Sequence, residues 1–159
     1  MIYIGIDNGI TGSIGIIDGE YSQFFHTPTK RELSYTKTKK FIERIDWKEL
    51  KKILTRENVK MVGLERPLVD STKFAATQSA MRSLEATIIV LEALKLPYEY
   101  LDSKEWQKEM LPDGVKGTPE LKKASLDIGT RLFPQHAELY KKDADGILIA
   151  EYVRRKYAI

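Results

Sequence analysis

The sequence contains no cysteine, only two histidines, and no apolar run near the roughly 20 residues that a membrane span needs. The first absence excludes a disulfide framework and a cysteine-ligated zinc site, and it fits a reducing, cytoplasmic setting, where we expect the protein to work. The second leaves little for histidine chemistry: His26 and His136 lack metal-like spacing and read as structural residues. No membrane partner is expected, since the amino terminus reads as a strand and not as a basic leader with an apolar core. Strong charge of one sign is lacking too, and a net charge of +3 does not by itself announce a nucleic-acid binder.

What is present suits one compact unit. At 159 residues and 42% hydrophobic content, a single domain over residues 1–159 can bury a core without metal or disulfide staples. The cationic charge is unevenly spread: from Lys30 to Lys60, eleven lysines and arginines stand against five acids. That basic patch suits a polyanion, although interleaved acids at helical spacing, such as Glu49 with Lys52, also suit a solvated helix face.

Periodicity and turn residues divide the chain. The runs IYIGID (2–7) and SIGIID (13–18) read as strands joined through Asn8-Gly9, and Asp18-Gly19 opens a second hairpin to YSQFFH (21–26). Helical spacing follows at Phe41, Ile42, Ile45, Leu50, Ile53 and Leu54. VKMVGLE (59–65) is a buried strand stopped by Pro67, which lacks an amide donor. A helix is expected over about 72–94, then a fifth strand over 97–101. Ser103 caps a short helix through Trp106 and Met110, Thr118-Pro119-Glu120 opens another towards Phe133, and a last helix runs from about Asp143 to Tyr157. Between them, the 111–117 loop with Pro112, two glycines and Lys116 is expected to be mobile. The order predicts a mixed α/β layer fold.

Acids stand at the ends of apolar elements. Asp7 closes the first strand and Glu65 the fourth, while Asp143 and Asp145 open the last helix in KKDADGILIAEY. A lone buried carboxylate costs several kcal/mol unless it is paired or holds a cation. If the first and fourth strands lie side by side, these acids converge, and a cluster of hard oxygen ligands suits Mg²⁺ or Mn²⁺. Two such ions about 4 Å apart, bridged by Asp7, suit in-line attack of water on a phosphodiester. Each acid also has a local explanation: Asp7 as a turn residue, Glu65 as a partner of Arg66, Asp143 and Asp145 as favourable first-turn charges.

Taken together, IGIDNGITGSIGII at the start, Glu65 at the end of the fourth strand and KDADGILIAEY at the carboxy end resemble the RuvC-like crossover-junction endonucleases of the RNase H-like superfamily. The likeness spans nearly the whole chain and is closest to the short Holliday junction resolvases of bacteriophages. It implies an α/β, RNase H-like fold with a five-stranded mixed sheet flanked by helices. It also implies a homodimer and paired hydrolytic incisions across four-way or other branched DNA, leaving 5′-phosphate and 3′-hydroxyl ends, with two Mg²⁺ ions per active site for which Mn²⁺ can substitute. Such an enzyme would serve DNA recombination and repair.

By the resemblance, Asp7, Glu65 and Asp145 match family catalytic acids and metal ligands. Family members often carry a further acid or histidine three residues before the last of these, where this chain has Lys142, and Asp143 takes that role or else caps the helix. The family often places an aromatic just after the second acid, at the junction's centre, where this chain has Leu68. Phe74 is either its substitute or, from its helical spacing with Met81, a core residue. DNA phosphates are expected to meet Lys73, Arg82, Lys104, Lys108, Lys116, Lys122 and Lys123, together with the patch that starts at Lys30. The helix carrying Met81, Leu84, Ile88 and Leu91 has apolar positions enough to meet a second copy.

Two other readings remain open at this level. An RNase H-type ribonuclease would use the same acids on an RNA–DNA hybrid. An actin-like ATP-binding domain also begins with an apolar strand, an Asp and a glycine-rich hairpin, but it needs a second phosphate loop that is missing here.

Overall fold

Side-chain alternation decides how the first strand sits. In β1 (Ile2–Asp7), Ile4 and Ile6 join one apolar cluster and Tyr3 the other, so the strand is buried on both faces. The structure, a computed structural model, describes residues 1–158. β2 (Ser13–Asp18) and β3 (Tyr21–His26) continue an antiparallel meander, and β6 (Val59–Glu65) and β7 (Tyr98–Leu101) extend the other side in parallel. The resulting five-stranded mixed sheet has the order β3-β2-β1-β6-β7. It is the RNase H-like arrangement expected from the sequence, with the first and fourth sheet strands adjacent.

Two short strands precede β6 and stand apart from this sheet. β4 (Thr29–Leu33) and β5 (Phe41–Ile45) pair antiparallel as a separate hairpin. Phe41, Ile42 and Ile45 therefore do not belong to the helix that their spacing suggested. Their ladder partners Leu33, Glu32 and Thr29 lie earlier in the chain, where local periodicity does not register them. Asp46 starts the helix instead, its side chain accepting from the Glu49 amide at 3.2 Å. Helix α1 (Trp47–Leu54) buries Leu50 and Leu54.

Helix α2 (Phe74–Ala93) packs with α1 on one face of the sheet, against Ile4, Ile6, Ile14 and Val62. Its buried residues begin only at Ser83 and continue through Thr87, Val90 and Leu91. Phe74 lies before them and is 75% exposed, so it is not the core residue that its spacing with Met81 suggested. Helices α3 (Ser103–Met110), α4 (Thr118–Leu132) and α5 (Asp145–Tyr157) cover the opposite face around Trp106 and Leu148.

The height of α5 over the sheet is set by glycine. Gly15, Gly5 and Gly63 sit side by side on β2, β1 and β6, in direct register. A Cβ on Gly5 would collide with the backbone of Gly146 and Ala150, and one on Gly15 with that of Ile147. The row lets the helix lie directly on the strands, which carries Asp145 down to the end of β1.

Candidate metal centre

Three elements deliver four acids to one end of the sheet. Ile6 of β1 pairs with Leu64 of β6, so the next residues, Asp7 and Glu65, leave their strands as neighbours. Ser13 lies opposite Asp7 in the β1–β2 ladder, and its Oγ accepts from the Gly146 amide at 2.9 Å. That bond moors the first turn of α5 beside Asp7.

One carboxylate oxygen from each of Asp7, Asp143 and Asp145 lies within 4.8 Å of the other two. Asp143 precedes α5, whose N-cap residue is Ala144 with no side-chain cap. Asp143 Oδ1 accepts from the Asp145 amide at 3.0 Å, and a carboxylate oxygen of Asp143 belongs to the acid group. Glu65 stands beside that group and is held by the indole N–H of the fully buried Trp106.

One cation is already inside. Lys122 of α4 places Nζ 2.8 Å from Asp143 Oδ2 and 3.0 Å from Asp145 Oδ2. Ser125, one turn on, donates to Asp145 Oδ1 at 2.5 Å and accepts from the Ala144 amide at 2.9 Å. No hydrogen bond reaches the Asp7 side chain among the described residues.

The energetics follow from crowding and dryness. Burial pushes the Asp7 carboxyl well above its usual range, and the charges of Glu65, Asp145 and Asp143 push it further. Burial lifts Glu65 to about 7, against the Trp106 bond, which favours the ion. Asp145 is raised by burial and then by Asp143. Burial would lower the Lys122 ammonium, but the charges of Asp145 and Asp143 outweigh it and raise it. One ammonium cannot balance four carboxylates, so the acids hold protons more tightly in the absence of a cation, and the donors are all hard oxygens. The donor set fits a small divalent cation.

The basic residues singled out from the sequence fall into three groups. Lys122 is turned into the acid cluster. Lys104, Lys108, Lys116 and Lys123 lie around the 111–117 loop, where Lys116 and Lys123 line one cleft and Lys104 and Lys108 the next. Lys73 and Arg82 belong to the start and middle of α2, with Arg82 half-buried beside the β4–β5 hairpin. His26 Nε2 donates to the Leu139 carbonyl at 2.6 Å, and His136 bonds Ser22 at 2.8 Å, so neither histidine bonds an acid of the cluster. Sequence reasoning missed Trp106, Ser13 and Ser125 as parts of the site. Only Ser13 carried a signal, as a small residue in the opening motif.

No protein-family model matches the chain, and no curated protein matches it in sequence. Solved structures do match in shape. RuvC of Thermus thermophilus in complex with a Holliday junction substrate superposes with a TM-score of 0.61 over 99% of this chain and 96% of that one, at 12% identity. A second structure of Thermus thermophilus RuvC gives 0.57 over 99% and 95%, at 15% identity. The fold is therefore RuvC-like along the described length.

Proposed function

We propose that the protein is a metal-dependent, structure-selective endonuclease of a single nuclease domain that resolves Holliday junctions by paired phosphodiester hydrolysis, leaving 5′-phosphate and 3′-hydroxyl ends. The observation that carries the reading is the convergence of Asp7, Asp143 and Asp145 beside Glu65 at the end of a RuvC-like sheet. A related fold in the company of a four-way junction supports the choice of substrate.

Asp7, Glu65, Asp143 and Asp145 would hold Mg²⁺, or Mn²⁺ in its place. Such ions supply Lewis acidity and orient the water and the leaving oxygen of an in-line displacement. The chain's own groups prepare that site. Asp7, free of hydrogen bonds, keeps its lone pairs for coordination, whereas Ser125 and the Asp145 amide fix Asp145 and Asp143 in orientation. Trp106 orients Glu65. Lys122 neutralises part of the charge until a cation and a phosphate arrive, and its ammonium is then a donor for a phosphate oxygen.

Around the site, Lys104, Lys108, Lys116 and Lys123 form a flank for DNA phosphates, with Lys73 and Arg82 opposite. Phe74 and Leu68, 75% and 86% exposed, follow Glu65 in the chain and are free to stack or wedge at a branch point. A second copy would complete the paired incisions. The outward residues Met81 and Ile89 of α2 are the face for it, since Leu91 is buried within the subunit.

The test is cleavage of a synthetic four-way junction beside a matched duplex and an RNA–DNA hybrid, with Mg²⁺ or Mn²⁺. Symmetric nicks on the junction alone, abolished by Asp7→Asn, are expected. Cutting of the hybrid alone assigns the protein to the ribonuclease branch, and no cutting of any substrate rejects a nuclease role.

A further inference from the structure

Two hollows on the surface extend away from the acid cluster. The first, about 580 Å³, borders Asp143 and is lined by Thr11, His26, Thr27, Lys141 and Lys142. Lys142 donates from Nζ to Thr11 Oγ1 at 3.1 Å and has no carboxylate partner among the described residues. The Thr27 hydroxyl is buried with no hydrogen-bond partner. Asp143, the nearest acid, has its oxygens engaged by the Asp145 amide and by Lys122. An ammonium with no carboxylate partner, beside the Thr11 hydroxyl at the wall of an open hollow, is chemistry for an anion.

The second hollow, about 420 Å³, lies between the β4–β5 hairpin and α2 and is lined by Tyr35, Lys40, Gln78, Arg82 and one acid, Glu43. The cations of the hairpin are sorted by position. In its stem, Lys30 and Arg44 both pair with Glu32, at 2.8 and 2.7 Å. At its tip, Lys37, Lys39 and Lys40 have no acid among residues 34–40 and make no ion pair among the described residues. Tyr35 stands among them 93% exposed. Tip lysines without ion pairs, in one loop with an exposed aromatic ring, suit a nucleic-acid strand, whose phosphates and base faces match both. Ile10 lines this hollow and the first one alike, so the two adjoin.

We propose that the two hollows form one track for the DNA strand as it leaves the acid cluster. Lys142 with Thr11 holds the phosphate next to the one under attack. Lys40, Arg82 and the hairpin tip hold phosphates farther along, with Tyr35 offered to a base. This rests on the endonuclease reading for the position of the scissile phosphate. It gives Lys142, which stands where related nucleases carry an acid or histidine, a substrate-binding task in place of metal coordination.

The experiment is equilibrium binding of a fluorescein-labelled four-way junction to the full chain without divalent metal, over a range of salt. Lys142→Ala and the double variant Lys40→Ala/Arg82→Ala are compared with wild type and with Lys156→Ala, whose cation pairs with Glu99 at 3.1 Å. Each cation removed from the track should weaken binding about three- to tenfold and lower the slope of log K against log salt by about 1, with Lys156→Ala unchanged. A methylphosphonate replacing the phosphate beside the cleaved one should weaken wild type but add nothing to Lys142→Ala. Salt slopes equal to wild type, or full additivity of the methylphosphonate with Lys142→Ala, would overturn the track. Should wild type cut the junction while these variants bind normally, the track fails and the nuclease stands. Should the variants lose affinity while wild type cuts no junction, the track stands as a nucleic-acid groove and the resolvase reading fails.

Discussion

The indole N–H of Trp106 donates to Oε2 of Glu65, joining a fully buried residue of α3 to the last residue of β6. This bond favours the ionised carboxylate, while burial opposes it more strongly and leaves the acid at about 7. Glu65 is thus held in orientation but only part-charged at neutral pH, a state that a divalent cation would complete.

Replacing Trp106 by Phe keeps most of the ring packing and removes the donor. Divalent-metal affinity is expected to fall about 10- to 100-fold, the usual cost of losing a group that orients a ligand. Calorimetric titration with Mn²⁺ checks it, and an unchanged Kd would show that Trp106 serves packing alone.

The pH dependence of the metal-free protein follows from the raised acids. Glu65 binds its proton more tightly when folded, at about 7, than at its ordinary 4.5, and Asp7 and Asp145 are raised in the same direction. The associated stability is complete below about pH 4.5 and is lost as pH climbs through 7. For Glu65 alone the loss is on the order of 3 kcal/mol. Melting temperature without metal should therefore decline between about pH 4.5 and 7.5, and millimolar Mg²⁺ should flatten the decline. A flat metal-free profile would contradict the raised acids.

Lys122→Met removes the one ammonium inside the cluster while keeping much of its stem. Because its side chain is 32% exposed, the expected destabilisation at about pH 7.5 without metal is about 1–3 kcal/mol, less than for a fully buried pair. Urea denaturation measures it. Added Mg²⁺ should restore more stability to the variant than to wild type, since the ion takes over the missing counter-charge.

Gly15→Ala tests the mooring of α5. The new methyl would meet the Ile147 backbone, which no rotamer change relieves. A loss of more than about 3 kcal/mol, or failure to fold, is expected. A control at Gly19, which has φ of 62° but open space around it, should cost only about 1 kcal/mol. Thermal melts of the two proteins, followed by circular dichroism, decide between them.

Much of the sheet was legible because its signals are local. Asn8-Gly9 and Asp18-Gly19 mark the turns of the meander, and Pro67 stops the strand that ends in Glu65. The β4–β5 hairpin was not legible, because Phe41, Ile42 and Ile45 happen to fall at helical steps and their strand partners lie across the tip at residues 34–40. Phe74 misled in the same way: its apolar neighbour at position 81 implied a buried stripe that begins only at Ser83.

By itself the sequence determined the order of the five sheet strands and the placing of Asp7, Glu65, Asp143 and Asp145 at element ends, since such termini are written in a few adjacent residues. Tertiary structure alone decided that Lys122 and Ser125 reach Asp145, that Trp106 holds Glu65 and that Lys142 turns away to Thr11. Those bonds join side chains 20 to 131 residues apart. They depend on how closely α5 lies on Gly5 and Gly15 and how α4 packs beside it, and packing of that range leaves no periodic trace in the chain.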